Sequence, residues 1–164
     1  MNSTPNGGEI ADRLAISDVI IQYAAALDQR NWRLLRKLML DRVWIDYRSF
    51  DPQLNLEMSA DQWAERVRGL EGFDATQHIS SNHAHRINGS QASCTSYMQA
   101  AHFLRRNDVD YHCFLYGHYN TELLRTTEGW KIAKVTLVIS ARQGDQRVFD
   151  WAFESARKTR LTGR

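Results

Sequence analysis

The segment "HAHRINGSQASCTSYM" (residues 83–98) decides the fold class because it holds the clearest turn signal in the chain. Asn88-Gly89 separates two stretches of strand-type sequence, and these residues tolerate the left-handed backbone of a tight hairpin turn. Three strands are predicted after the turn, over residues 91–104, 111–125 and 130–140. Polar turns, "RRNDVD" and "TTEG", separate these strands, so the second half of the chain is predicted to be an antiparallel meander.

Helical patterns flank the meander on both sides. Apolar residues recur at three- and four-residue steps from Glu9 to about Asp28, which predicts an amphipathic helix. Asn31 is a predicted N-cap for a second helix, "WRLLRKLML", and Ser59 with Gln62 forms a capping box for a third. A strand is predicted at 43–50 between them, and a closing helix at 148–158.

This order of elements predicts an α+β fold. Helices packed on one face of a strongly curved, mixed or antiparallel sheet form a cone-shaped α+β barrel with an internal cavity, which suits a small molecule. One domain is expected over 9–158, preceded by a flexible segment at 1–8 and followed by a polar tail at 159–164.

Composition excludes several function classes. The net charge is only +2 and the basic residues are scattered, so there is no case for nucleic acid or an anionic membrane as partner. No signal peptide and no apolar run of about 20 residues is visible, so the chain is expected to be soluble and cytoplasmic. Cys94 and Cys113 are expected to be reduced and buried.

Three histidines fall within "DATQHISSNHAH" (74–85). Strand alternation places His83 and His85 on one face and His78 on the other, so one ion could bind all three only across a bulge. No zinc motif accompanies them, and we therefore predict no metal and no cofactor.

Asp28 is a second candidate because it continues an apolar helix stripe. A carboxylate there either caps the following turn or accepts a hydrogen bond from a buried histidine, which would raise the basicity of that ring. Periodicity leaves open whether the partner is His78, His83 or His85.

Other candidates lie on the later strands. His102 shares a strand face with small apolar residues, which favours a core or cavity position. Asn120 could orient a ligand hydroxyl or bond a neighbour, and Tyr47 could donate a hydrogen bond or form a wall.

Several segments resemble the scytalone dehydratase family of the SnoaL-like superfamily, over about residues 10–158. The most specific are "IDYRSF" (45–50) and its spacing to "TQHIS" (76–80). The others are "LDQRNWRLLRKLM" (27–39), "MSADQWAERV" (58–67), "EGWKIAKV" (128–135) and "RVFDWAFESAR" (147–157).

The resemblance implies a cofactor-free site inside a cone-shaped subunit, with assembly as a homo-oligomer, trimer or dimer. It places the carboxylate on Asp28, the base on His78 and the active-site tyrosine on Tyr47, with His102 and Asn120 as further catalytic residues. The expected substrate-binding residues are Tyr23, Leu27, His118, Phe149 and Phe153. Leu27 stands where the family has a second tyrosine that helps to hold a water on the substrate carbonyl, and His118 falls near a family serine.

The implied activity is a dehydratase that eliminates water from a β-hydroxy ketone, polycyclic or aromatic. His78, held by Asp28, would take the proton next to the carbonyl, and Tyr47 would donate to the enolate oxygen. His102 with Asn120 would protonate the departing hydroxyl. The alternatives are an isomerase, an aldol cyclase or a dehydrohalogenase with the same first step, and a non-catalytic assembly subunit such as a dioxygenase beta subunit.

Overall fold

The structure, a computed structural model, describes residues 7–163. Residues 1–6 of the predicted flexible segment lie outside the described residues, and the first helix already begins at Gly7. The helices are α1 (Gly7–Asp28), α2 (Trp32–Lys37), α3 (Ala60–Val67) and α4 (Arg147–Thr162). A 3₁₀ turn spans Arg68–Gly72. The strands are β1 (Met39–Asp46), β2 (Asn55–Ser59), β3 (Ala75–Asn88), β4 (Gln91–Arg106), β5 (Val109–Thr126) and β6 (Gly129–Gly144).

The six strands of the described chain form one mixed sheet in the order β2-β1-β6-β5-β4-β3. β1 is parallel to β6, and the other neighbours are antiparallel. The predicted α+β class and curved sheet are confirmed. Because β2 and β3 are edge strands, the sheet remains an open cone and does not close into a barrel.

The turn chemistry agrees with the sequence. The first hairpin turns on Gly89, whose φ of +59° suits the first turn position of a type II′ turn. The next hairpin turns on Asn107 and Asp108, both with positive φ, as a type I′ turn requires. The predicted capping box is present, since Ser59 and Gln62 each accept a backbone hydrogen bond from the other.

Several boundaries differ from the predictions. α2 ends at Lys37 because Met39 already pairs with Ile132 of the parallel strand β6. β1 therefore starts earlier than predicted and ends at Asp46, and β2 was not predicted at all. α4 continues to Thr162, so residues 159–162 extend the helix instead of forming a tail.

A β-bulge in β3 overturns the predicted separation of the histidines. Three residue steps of β3, from Ser81 to Ala84, face only two steps of β4, from Tyr97 to Thr95. Asn82 takes a left-handed conformation with φ +52°. The extra residue reverses the alternation, so His83 and His85 point to the same side of the sheet as His78. The opposite-face prediction was wrong because alternation holds only in an unbroken strand.

Curvature leaves a concave inner face that the helices cover. α1 packs across β3, and α4 packs against the 3₁₀ turn at the mouth of the cone. The register of β5 against β6 shifts at Gly117, where an added Cβ would meet the carbonyl oxygen of Val138. Only glycine allows this close approach. In residues 7–163, no helix has the length and apolar character to cross a lipid bilayer.

Candidate active site

The last residue of α1 meets the first half of β3 inside the cone. Asp28 Oδ1 lies 2.6 Å from Nδ1 of His78, and Asp28 Oδ2 accepts the backbone N–H of the same residue at 2.7 Å. Two contacts between one carboxylate and one residue fix both the ring and the strand. The structure therefore selects His78 from the three histidines that the sequence left open.

Neighbouring polar groups complete the carboxylate's surroundings. Thr76 donates its hydroxyl to Asp28 Oδ1 at 2.9 Å, and Arg30 in turn donates to the Thr76 hydroxyl at 2.7 Å. Burial alone would raise the pKa of Asp28, but the hydrogen bonds and charge of His78, with the Thr76 bond, hold the pKa below its usual value. Asp28 is consequently ionised throughout the neutral pH range.

One end of the His78 ring faces an open cavity. With Nδ1 bonded to Asp28, Nε2 has no partner among the described residues and points away from the carboxylate. The cavity has a volume of about 460 Å³, within the size range of small-molecule sites. Its walls are largely aromatic and aliphatic, and its mouth carries Asp51, Arg66, Arg157 and Arg160.

Tyr47 presents its hydroxyl from the end of β1, supported by a chain of hydrogen bonds. Trp63 Nε1 donates to the hydroxyl of Tyr23 at 3.2 Å, and the Tyr23 and Tyr47 hydroxyls lie 3.0 Å apart. Because the Tyr23 oxygen accepts from Trp63, its own proton can go to Tyr47, which leaves the Tyr47 proton available for a ligand. Burial raises the pKa of Tyr23 to about 12 and that of Tyr47 well above its usual value, so both remain protonated.

Tyr119 is a cavity residue that the sequence analysis did not select. It lies on the inner face of β5, with its ring centroid 6.2 Å from that of Tyr47. Burial raises its pKa, so it too is a neutral phenol. The alternation of β5 separates Tyr119 from Asn120, so choosing the correct face of this strand would have found it.

His102 lies in the cavity wall beside His78. Their ring centroids are 5.6 Å apart, and His102 packs against Phe149 at 4.7 Å. Burial and the neighbouring His78 lower its pKa to about 3, so its ring is neutral at physiological pH. Nδ1 lies 3.4 Å from the carbonyl oxygen of Cys113, which accepts its proton.

Two predicted site residues lie outside the cavity. Asn120 and His118 are on the outer face of β5, opposite Thr95 and Tyr97 of β4. Asn120 Oδ1 accepts the Thr95 hydroxyl at 2.8 Å, and the His118 ring packs on Tyr97. Their assignment to the site is corrected, because the inner face of β5 carries the odd-numbered residues.

Of the other predicted substrate-binding residues, three line the cavity and one packs behind its wall. Leu27, Phe149 and Phe153 line the cavity. Tyr23 lies behind Tyr47 and lines only a small neighbouring void, so it supports the wall instead of forming it.

Comparison with known proteins identifies a domain family and a related protein. The profile of the SnoaL-like domain family matches residues 8–136. Over 130 residues, the chain is 31% identical to the uncharacterised protein Rv2910c of Mycobacterium tuberculosis H37Rv, covering 77% of this chain and 84% of that protein.

Two solved structures share the fold. A protein provisionally assigned as a scytalone dehydratase, from Novosphingobium aromaticivorans, superposes with a TM-score of 0.73 at 20% identity, over 84% of this chain and 89% of its own. The hexachlorocyclohexane dehydrochlorinase LinA type 2 gives a TM-score of 0.69 at 16% identity, over 83% and 90%. At these identities the likeness concerns the fold alone.

Proposed function

The chain belongs to the SnoaL-like domain family, and on that premise we propose that it is a dehydratase acting on a β-hydroxy ketone. The observation that carries the proposal is the 2.6 Å contact between Asp28 and His78, with the free end of the imidazole facing a cavity with largely aromatic and aliphatic walls. An assembly subunit would need neither feature, so their joint presence favours catalysis.

The first step is removal of a proton from the carbon next to the carbonyl. The proton on Nδ1 is held by Asp28, so Nε2 carries the lone pair that accepts the substrate proton. As the ring becomes an imidazolium, the ionised carboxylate stabilises its charge. General-base catalysis of this kind contributes about 10²- to 10⁴-fold.

Tyr47 is suited to stabilise the enolate oxygen that this step creates. When Tyr23 donates to its oxygen, the Tyr47 proton is left for a ligand in the cavity. Tyr119 brings a second phenol to the same region. It could replace the family tyrosine at the position where this chain has Leu27. Preorganised donors at a developing oxyanion are commonly the largest single catalytic contribution.

The second step expels the hydroxyl. The imidazolium of His78 returns the proton from Nε2 to the departing oxygen, the carbon–oxygen bond breaks, and the enolate electrons form the new double bond. Water leaves and the base is regenerated. The neutral ring of His102 cannot supply this proton as an imidazolium, so its role becomes positioning the substrate hydroxyl through Nε2.

The cavity favours a flat, partly polar substrate. Phe149, Phe153 and Trp63 provide aromatic walls, and aromatic rings pack well against such surfaces. A mono- or bicyclic aromatic hydroxy ketone fits the volume and leaves polar substituents at the charged mouth.

A dehydrohalogenase is the second candidate. It would share the deprotonation by His78, but a halide leaves without needing a proton. The low pKa of His102, about 3, keeps its ring neutral, and a halide needs no proton from it. The fold is also that of the dehydrochlorinase LinA.

A panel of cyclic β-hydroxy ketones and β-halo ketones tests the proposal by ultraviolet absorbance of the conjugated product. Asp28→Asn preserves the shape of the carboxylate but removes its charge, and should lower kcat about 10²- to 10⁴-fold. NMR-detected exchange of the α-proton into deuterium oxide, on an analogue without a leaving group, measures deprotonation separately. Full exchange activity in Asp28→Asn would refute the dyad. Exchange on the analogue by the wild type, with no elimination from any β-hydroxy ketone of the panel, would refute the dehydratase assignment.

Homo-oligomeric assembly stays a prediction. Its support is the outer face of the sheet, where Ile79, Tyr97 and Phe103 are 47, 56 and 40% exposed. Sedimentation equilibrium would distinguish monomer, dimer and trimer. A cytoplasmic location likewise stays a prediction.

A further inference from the structure

Three side chains of metal-ligand type converge on the second half of β3, away from the cavity. One ligand atom from each of His83, His85 and Cys94 lies within 4.8 Å of the other two. His85 and Cys94 are direct partners across the β3–β4 ladder, and His83 reaches the same face because of the bulge at Asn82.

Two serines orient the imidazoles. Ser17 of α1 places its hydroxyl oxygen 3.0 Å from Nδ1 of His83 and 2.9 Å from Nε2 of His85, so these two nitrogens aim at one point. Ser80 contacts the other nitrogen of His83, Nε2, at 2.9 Å. A partner on the far side of a ring fixes which nitrogen offers its lone pair, as outer ligands do in metal sites.

We propose that His83, His85 and Cys94 form a binding site for a zinc-class ion, with the fourth position open to water or the Ser17 hydroxyl. Two imidazole nitrogens and one thiolate are a donor set that Zn²⁺ prefers. The proposal is independent of the dehydratase function, since no step at His78 uses this site.

The geometry needs only a small adjustment. Zn–N bonds of about 2.0 Å and Zn–S bonds of about 2.3 Å place tetrahedral ligand atoms roughly 3.5 Å apart. Ligand atoms within 4.8 Å of one another therefore have to close by about 1 Å. Side-chain rotation can supply this, because both histidines are only partly buried and the bulge is already a local irregularity of the strand.

Local charges permit the ion. Burial lowers the pKa of both histidines, so their rings are neutral and able to bind metal. Arg13 is the nearby cation, and its charge is paired with Glu9 at 2.8 Å. The Cys94 thiol is buried, so the ion has to displace its proton.

Cobalt(II) is the direct probe because a thiolate–cobalt bond produces a charge-transfer band in the near ultraviolet. The chelator-treated full chain is titrated with Co²⁺ and then with Zn²⁺, which should displace the cobalt at one ion per chain. Cys94→Ser should abolish the charge-transfer band and weaken Zn²⁺ binding by at least about 100-fold, since loss of even an outer partner costs 10- to 100-fold.

Cys113→Ser is the matched control, since Cys113 is the other buried cysteine and lies on β5. It should keep the band and the affinity. If Cys94→Ser does not fold, the double variant His83→Gln with His85→Gln tests the same site while keeping the thiol, and it should lose Zn²⁺ binding. No thiolate band in the wild type, or a band that survives Cys94→Ser or the double variant, would overturn the proposal.

Discussion

The two halves of β3 present histidines to the same side of the sheet but place them in different surroundings. His78, in the first half, meets a carboxylate and an open cavity. His83 and His85, after the bulge, meet the hydroxyls of Ser17 and Ser80 beneath α1. Helix α1 supplies one partner to each half, because Ser17 and Asp28 are 11 residues apart and so about 16 Å along its axis.

This difference shows that a histidine's chemistry is set by its partner and by the space at its free nitrogen. A carboxylate orients the ring of His78 and stabilises the charge that it gains as a base, while open space at Nε2 gives it room for a substrate. Burial leaves the other two rings neutral, and a nitrogen of each points to the Ser17 hydroxyl, which suits an ion more than a proton transfer. Each prediction below tests one part of this contrast.

The largest expected effect is on turnover. His78→Gln keeps a polar side chain near Asp28 but removes the base, and should lower kcat/KM about 10²- to 10⁴-fold on the substrate identified from the panel. His112→Gln, an exposed histidine on the outer face of β5, is the control and should retain the wild-type rate. Equal losses in both variants would mean that His78 has no special chemical role.

The second largest effect is expected in how the free energy of unfolding depends on pH. The folded pKa of His102, about 3, lies below the value of about 6.5 in the unfolded chain. Between these values only the unfolded chain binds the proton, so stability falls as pH drops from 6.5 toward 3. The loss is of the order of a few kcal/mol, since one pKa unit corresponds to about 1.4 kcal/mol.

Urea unfolding at several pH values measures this loss, and His102→Gln should flatten the dependence. Asp28 contributes with the same sign only at the acid end, because its lowered pKa means that its stabilisation is lost as pH falls below about 4. If the free energy of unfolding depends on pH in His102→Gln as it does in the wild type, His102 is not a buried neutral histidine beside the first half of β3.

A smaller effect is expected at the bulge that joins the two halves. Asn82→Val places a β-branched residue at φ +52° and should destabilise the fold by about 1–2 kcal/mol. Asn82→Gly should be close to neutral because glycine accepts this conformation. Chemical denaturation compares the two variants, and equal stability would indicate that the bulge relaxes without the left-handed residue.

The smallest effect concerns the corrected residues of β5. His118 and Asn120 lie on the outer face. The variants His118→Ala and Asn120→Ala should therefore keep kcat/KM within about twofold of the wild-type value, as for most surface changes. Steady-state kinetics on the same substrate measures this. A loss of tenfold or more in either variant would return that residue to the site.

Much of the fold could be predicted because local signals agreed with one another. The hairpin at Gly89, the capping box at Ser59 and the end of α1 at Asp28 all appear where their short-range chemistry predicts. β2 and the early start of β1 could not be predicted in this way. The start of β1 becomes strand because β6, from far along the chain, pairs with it in parallel, and β2 becomes strand because it pairs with β1 in turn.

The sequence by itself determined the residue types of the site: an acid at the end of an apolar helix stripe, histidines on a strand, and a tyrosine near the end of the first strand. The tertiary structure decided which of them meet. Asp28 selects His78 because the register of β3 against α1 brings those two atoms to 2.6 Å. The inner face of β5 selects Tyr119 over Asn120, and one extra residue at Asn82 returns His83 and His85 to the inner side. A strand's alternation defines two faces but never which one is buried, and a bulge exchanges them, so packing alone settles the choice.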